Sequence, residues 1–271
     1  MPIECAGRAM MSEMNPYTPP ESPAAGTAAA KAGNFIAGGR AVDAGRGWEW
    51  IASGFALFKK QPGIWILMVI VVLLCSILIS LVPVIGGLAN MLLLQVFAGG
   101  IMLGCRALDS GENFEVGHVF AGFKQNTSNL VVLGLLALVA WVIILIPAML
   151  IMGGGSFLAI MRGGADLASF AAVGLSFVLA VLVVLSLSIP LYMALWFAPA
   201  LVVFHELKPI EAMKASFSAC LKNAIPFLLY SVILLALSMI AAIPFGLGFL
   251  VLVPVVVASI YTAYRDIFFA G

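Results

Sequence analysis

The chain has 271 residues, of which 63% are hydrophobic and 9% are charged, and its formal net charge is +1. A soluble domain carries roughly 45–50% apolar and about 25% charged residues, so this composition excludes a water-soluble fold and predicts an integral membrane protein. The low net charge gives no bulk electrostatic reason to bind nucleic acid. Cys5, Cys75, Cys105 and Cys220 form no CxxC pair, and we predict buried apolar side chains rather than a disulfide framework or a zinc site.

Residues 1–45 are rich in Ala, Gly, Pro, Ser and Glu and contain few large apolar side chains. Such a segment buries too little apolar surface to offset the entropy that it loses on ordering. We therefore predict a disordered cytoplasmic tail over residues 1–45 and a six-helix membrane domain over residues 46–268.

Six apolar stretches follow, each close to the ~20 residues that cross ~30 Å of hydrocarbon as a helix. In chain order the predicted spans are residues 64–82, 88–105, 130–152, 181–204, 225–243 and 245–264. Twelve of the thirteen Lys and Arg residues fall on one side of these crossings, and only Arg162 falls on the other. Because basic residues in short loops stay in the cytoplasm, we predict that both termini are cytoplasmic and that the loop 153–167 lies outside.

The apolar run from Ala168 to Phe204 is too long for one straight crossing and too short for three. It must cross once, because Arg162 is predicted outside and Lys208 inside. Its early part is expected either to lie along the outer surface or to extend the helix outward. Pro190 is predicted to kink this span, because proline lacks an amide donor and clashes with the preceding turn.

A seven-residue motif precedes the first, third and fifth spans, at residues 55–61, 120–126 and 217–223. Each copy has a Phe, a second residue with an apolar side chain three positions later, and then a Lys and an amide. A proline follows each of the three spans. We predict an all-α integral membrane fold of three parallel repeats, each an amphipathic helix followed by a helical hairpin. The alternative is that Phe and Lys are simply common near the ends of membrane helices.

An amphipathic helix with a terminal lysine lies in the membrane interface, with the lysine directed toward the headgroups. We therefore predict that five residues contact lipid headgroups: Lys59, Lys60, Lys124, Lys214 and Lys222. Gly100 and Gly104 form a GxxxG pair in the second span, which lets two helix backbones approach closely. The pair packs either inside the chain or against a second copy in a homodimer.

The middle of every predicted span lacks Asp, Glu, Lys, Arg and His, although proton relays and ion pathways normally need such groups. Asn90 and Gln95 are the most polar residues within a span, and we expect them to hydrogen-bond between helices; the alternative is a polar transport site. The two histidines, His118 and His205, each lie near a glutamate, but solvated interfacial groups are commoner than a metal or acid–base site. We predict no catalytic residue, no metal and no cofactor.

Residues 45–50 and 58–62, together with 196–201 and 211–217, resemble a family of uncharacterised beta-proteobacterial inner-membrane proteins. More distantly, the chain is similar to YciC-like inner-membrane proteins and to the membrane domain fused to some glycerophosphodiester phosphodiesterases. The resemblance covers about residues 45–268 and implies six spans, a cytoplasmic start and no established activity. It transfers no functional residues, and the phosphodiesterase catalytic domain is absent from this chain.

These observations predict a non-enzymatic protein of the bacterial inner membrane that organises lipids or serves as a partner-binding scaffold. The expected partners are membrane lipids, other membrane proteins or a second copy of the chain. The alternative is a transporter or permeation pathway for an apolar or lipid-like solute, because parallel repeats are common in transporters. A lipid-sized cavity on the repeat axis would favour the transporter, whereas a tightly packed axis would remove it. An intramembrane enzyme would require His118 and His205 to converge.

Overall fold

The computed structural model describes residues 34–163 and 166–269, and this part of the chain is built of helices. It contains nine α-helices and one 3₁₀ helix, and the strand-like pairing within it is a single antiparallel bridge between Phe35 and Phe269. The elements are α1 (Arg46–Lys60), α2 (Pro62–Ser80), α3 (Ile85–Asp109), the 3₁₀ helix η1 (Val116–Phe123), α4 (Thr127–Met161), α5 (Leu167–Leu195), α6 (Ala198–His205), α7 (Pro209–Lys222), α8 (Ala224–Ala242) and α9 (Phe249–Phe268).

Six helical segments of the described chain are long and apolar enough to cross a membrane, which confirms the all-α integral membrane fold class. They are α2, α3, α4, α5 together with α6, α8 and α9. A short helix (α1, η1 or α7) precedes each pair, so the order along the chain is the predicted one. The predicted threefold arrangement of these units in space stays a prediction.

The predicted outer loop at 153–167 is mostly helix, because α4 continues to Met161. Gly155, within the glycine run of this segment, lies close to α5. A Cβ there would lie 1.8 Å from Ser176 Oγ of α5, so the glycine permits α4 and α5 to run side by side. The early part of the long apolar run from Ala168 therefore extends the helix, which is one of the two predicted alternatives, and it runs alongside α4. The 35 residues of α4 measure roughly 52 Å, well beyond a hydrocarbon core of ~30 Å.

The fourth span is interrupted at Trp196 and Phe197, whereas Pro190, where a kink is predicted, lies inside α5. A side chain of α7 causes the break. The Ser216 hydroxyl accepts a hydrogen bond from Phe197 N at 3.0 Å and donates one to Met193 O at 2.7 Å. These two backbone groups are four residues apart and would otherwise pair within one continuous helix.

Buried side chains concentrate at one end of the domain, which we call the basic end. It consists of α1, η1, α7, the start of α2, the C-terminal ends of α3, α6 and α9, and the connections that precede η1 and α6. Its large, fully buried side chains include Trp50, Trp65, Phe114, Phe197 and Phe268. The opposite halves of the three hairpins expose large apolar side chains along most of their length. A bilayer would cover such a surface, so the hairpins are held together mainly at the basic end.

Part of the predicted tail belongs to this packed end. Ile36 N donates to Phe268 O at 2.9 Å, and Arg40 N donates to Ile267 O at 2.9 Å. The predicted disorder therefore does not extend over residues 34–45, because the end of α9 supplies tertiary partners that local composition does not reveal. Residues 1–33 of the predicted tail lie outside the described residues.

Candidate lipid interface at the basic end

Helix α1 has two apolar faces with different surroundings. The first packs against α8 and α9 and includes Trp50, Leu57 and Phe58. The second presents Trp48 and Phe55 to the exterior, with 56% and 42% of their surface exposed. Lys59 Nζ lies 5.1 Å from the centroid of the Phe55 ring. An exposed aromatic stripe that ends in a lysine is the surface that an interfacial helix presents to lipid.

Helix α7 repeats this two-faced design. Its inner face packs against α5 and includes the buried residue Cys220, whose thiol pKa burial raises to about 12. Its outer face carries Ile210, Phe217 and Leu221, all exposed, and they are spaced seven and four residues apart so that they line one side of the helix. Lys214 is exposed on the same side, four residues after Ile210. The two amphipathic α-helices therefore share one design.

The 3₁₀ helix η1 provides a third stripe in a more compact form. Phe120 and Phe123 are exposed, and the ring of Phe97 from α3 contacts both of them edge-on, at centroid distances of 6.1 and 5.7 Å. Lys124 follows directly and is exposed. On the inner side Gly122 lies so close to α3 that a Cβ would be 2.1 Å from the carbonyl oxygen of Val96. The structure thus forms this predicted amphipathic element as a 3₁₀ helix.

The five lysines predicted at headgroups fall into two groups. Lys59, Lys124 and Lys214 stand beside the exposed stripes and form no hydrogen bond or ion pair with a described residue. Lys60 and Lys222 instead donate hydrogen bonds to backbone carbonyl groups. Lys60 Nζ donates to the carbonyl oxygen of Leu108 at 3.1 Å, and Lys222 Nζ donates to those of Gly38 and Gly39 at 2.9 and 3.1 Å. The headgroup prediction therefore concentrates on the first three lysines.

The amide that ends each seven-residue motif binds the backbone of a different part of the chain. Gln61 Oε1 accepts from Phe114 N at 2.9 Å, and Gln61 Nε2 donates to Asn113 Oδ1 at 3.0 Å. Asn126 Nδ2 donates to the carbonyl oxygen of Val202 in α6 at 3.2 Å. Each of these contacted segments leads into the next short helix of the chain.

Asn223 makes the corresponding contacts in the third motif. Its Oδ1 accepts from Val42 N at 2.8 Å, and its Nδ2 donates to the carbonyl oxygen of Arg40 at 2.8 Å. The segment that it binds leads into α1. In the sequence the three amides stand out only as the last residue of a motif. All three amides occupy the seventh position of the motif, and this shared position could have indicated a shared role in binding backbone.

Gly100 and Gly104 pack inside the chain. A Cβ on Gly100 would lie 2.5 Å from the carbonyl oxygen of His118 and 2.6 Å from that of Val119. A Cβ on Gly104 would lie 2.0 Å from Cε2 of Phe114. Internal packing is thus the alternative that the structure adopts, and the face that a second copy would need is already covered.

Side chains of α3, α6 and α9 meet at the basic end. The guanidinium of Arg106 lies 4.7 Å over the Phe204 ring, whose centroid is 5.3 Å from that of Tyr264. Asp109 of α3 forms an ion pair with Arg265 of α9. The three helices are thus joined through aromatic, cation–π and ionic contacts.

The polar residues considered for chemistry have separate surroundings. His118 Nδ1 accepts from the backbone N of Glu115 at 3.0 Å, within the cap of η1, whereas His205 Nε2 is 2.6 Å from the hydroxyl of Tyr264. Among the described residues, no group of three or more His, Cys, Asp or Glu side chains is placed to hold a metal ion. The inter-helix hydrogen bonds predicted for Asn90 and Gln95 are not found between described residues, so that prediction is wrong there.

Six long apolar helical segments in the described part of the chain define a multi-pass integral membrane protein. A protein of Burkholderia thailandensis named as a probable inner membrane protein is 32% identical to this chain over 213 residues, which cover 76% of this chain and 78% of that protein. The chain therefore belongs to this family of inner membrane proteins. No protein-family model and no solved structure matches the chain. These comparisons do not support the more distant resemblances to YciC-like proteins and to the phosphodiesterase membrane domain.

Proposed function

We propose that this protein is a non-enzymatic scaffold of the inner membrane that organises anionic lipids around a cytoplasmic basic end. The observation that carries the proposal is the set of three exposed apolar stripes, each with a lysine that has no described protein partner. Anionic headgroups attract a lysine near the surface by about 1 kcal/mol, a preference of roughly fivefold for each stripe. Apolar side chains beside each lysine would hold it at the depth of the headgroups.

The proposed orientation follows from charge. Arg162 lies at the far end of α4 from the basic end, which carries the other basic residues of the described chain. Basic residues near the ends of spans stay cytoplasmic. A reporter fused after Arg162 should therefore be periplasmic, and one fused after Lys124 or Lys214 should be cytoplasmic. The reverse result would place the stripes in the outer leaflet and contradict the proposal.

The packing of the short helices supports three repeats arranged as a ring. Each short helix packs on the hairpin of the preceding unit: η1 on α2 and α3, α7 on α5 and α6, and α1 on α8 and α9. In each unit a small residue of the short helix lies over one turn of the neighbouring span, between a carbonyl group and the amide four residues later. The three sets are Gly54 over Val255 and Ser259, Gly122 over Val96 and Gly100, and Ser216 over Met193 and Phe197.

The contacts between α3, α6 and α9 at the basic end favour the scaffold over a permeation pathway. A pathway through the point where these helices converge would have to separate Phe204 from Tyr264 and break the ion pair between Asp109 and Arg265. The proposal is non-enzymatic because the two histidines have separate partners and do not form a shared site.

Lipid composition around the protein tests the proposal. The protein would be extracted in native lipid discs, and the ratio of anionic to neutral phospholipid would be measured by mass spectrometry. We expect enrichment around the wild type and a clear loss in the triple variant K59Q/K124Q/K214Q. The triple variant K59R/K124R/K214R keeps the charge and should retain the enrichment, as should R162Q at the opposite end. Equal lipid ratios in the wild type and the glutamine variant would refute the proposal.

A further inference from the structure

Residues 34–42, which we call the N-terminal strap, lie across the ends of α6, α7 and α9. At the start of the strap, the ring of Phe35 stacks on the imidazole of His205 with centroids 3.6 Å apart. The backbone of Phe35 pairs with that of Phe269 in an antiparallel bridge. The amides of Ile36 and Arg40 donate to the last carbonyl groups of α9. The strap thus satisfies backbone groups that the end of a helix leaves unpaired.

The second half of the strap is held by polar side chains. Arg40 donates from one nitrogen to Asp266 Oδ1 at 2.9 Å and from Nε to the carbonyl oxygen of Asp266 at 2.8 Å. Asn223 binds the backbone of Arg40 and Val42, and Lys222 binds two strap carbonyl groups. The Asp266 side chain is 7% exposed and that of Arg40 is 39% exposed, so their pairing is partly shielded from water.

The strap differs in connectivity from the segments that the other two motif amides bind. Gln61 binds the connection that runs directly on from α3, and Asn126 binds α6, which runs directly on from α5. Neither of these segments can detach from its amide without displacing the membrane span that directly precedes it in the chain. The strap is joined to the described membrane domain through α1 alone, so it can detach while the spans keep their packing.

We propose that the N-terminal strap is a latch that opens and closes as a unit while the six spans stay folded. The surface that binds the strap, which we call the slot, is formed by His205, Asn223, Asp266 and the end of α9. This slot recognises an extended segment in which an aromatic residue stands five positions before an arginine, as Phe35 and Arg40 do in the strap. The closed latch joins the third unit to the start of the first, where the other units are joined by continuous chain. This inference does not depend on the lipid proposal.

Hydrogen exchange of the full-length protein in lipid nanodiscs tests the latch. Amides that open independently exchange faster than amides that require global unfolding. We expect the hydrogen-bonded amides of Ile36, Gly39, Arg40 and Val42 to exchange well before those in the buried half of α3. Exchange of the strap in step with α3 would overturn the proposal, because the strap would then be part of the folded core.

Variants on both sides of the slot sharpen the test. R40Q removes the paired guanidinium from the strap, and N223A removes the amide that binds its backbone. Each variant should speed amide exchange in the strap by roughly tenfold to a hundredfold, because it loses a partly buried hydrogen bond to a charged or amide group. Amide exchange in α3 should stay unchanged. R40K keeps the charge but not the forked geometry and should also speed exchange. Q61A is the matched control, because it removes an equivalent amide from a connected segment.

Each outcome of these variants decides for or against the latch. Faster exchange confined to the strap in R40Q and N223A, with unchanged strap exchange in Q61A, would support it. Equal acceleration of the strap and α3 in R40Q would overturn it, as would unchanged strap exchange in both R40Q and N223A. Because R40Q alters only the strap, it remains decisive even if N223A perturbs the junction of α7 and α8.

Discussion

Replacing Gly100 with alanine tests whether the GxxxG face of α3 is an internal contact. The added Cβ would lie 2.5 Å from the carbonyl oxygen of His118, whereas ordinary contact begins near 3.4 Å. The backbone of η1 would therefore have to move by roughly 0.9 Å, because both contacting oxygens belong to the main chain. Overpacking of this kind costs about 1–3 kcal/mol, and a clash with backbone falls at the upper end.

The gain in helix propensity offsets part of this cost. Alanine is more favourable than glycine in a helix by about 1 kcal/mol, so the net loss for G100A is about 2 kcal/mol. A domain of this size loses roughly 2–4 °C in Tm for each kcal/mol, which predicts a decrease of roughly 4–8 °C. Thermal unfolding in a mild detergent, followed by size-exclusion chromatography with fluorescence detection, measures this change.

Gly153 provides a matched control in α4. A Cβ at Gly153 would meet no atom within 4 Å, so G153A should leave the Tm unchanged or raise it slightly. Equal Tm values for G100A and G153A would refute the internal contact. A G100A protein with wild-type Tm and a changed oligomeric state would instead support the homodimer alternative.

Two further predictions concern hydrogen bonds at helix ends. S216A removes the buried hydroxyl that bridges Phe197 N and Met193 O and should cost roughly 1–3 kcal/mol in thermal unfolding. S186A, which removes an exposed hydroxyl bonded within its own helix, should cost little. Asp166 caps α5 by accepting from Ser169 N at 2.9 Å, and hydrogen bonding from the side chain and the backbone of Ser169 lowers the carboxyl pKa. The stabilising effect of the Asp166 cap is therefore present above the pKa of the unfolded state and is lost as the pH falls through the pKa of the folded state. Amide protection in the first turn of α5 should fall on acidification in the wild type and stay constant in D166N.

Sequence reasoning predicted the fold class because transfer of apolar residues into hydrocarbon is a large, additive effect that composition records directly. It succeeded less well where a neighbouring element decides the outcome. The run Gly153–Gly155 was predicted as a loop, yet it lies in α4, where the missing side chain of Gly155 lets Ser176 of α5 pack closely. The break after Leu195 depends on Ser216, which lies in the next helix along the chain and leaves no mark near Pro190.

The candidate site was predictable in part for the same reason. The motif contains four of the five lysines, all but Lys214, but its spacing could not separate Lys59, beside an exposed ring, from its neighbour Lys60, bound to the end of α3. Consecutive residues of a helix point about 100° apart, so they face different surroundings. Only the positions of the other helices determine which of the two lysines meets protein and which faces outward.

The sequence by itself determined that this chain spans a membrane with six helices and that its basic residues, Arg162 excepted, belong to one side of the spans, since hydropathy and charge act residue by residue. The tertiary structure decided which glycines and lysines are internal, where the fourth span is interrupted, and that residues 34–42 pack on α9. These features are contacts between residues such as Arg40 and Asp266, which are far apart in the chain. Their free energy depends on the distance between partners in space, which the pattern of either segment alone does not contain.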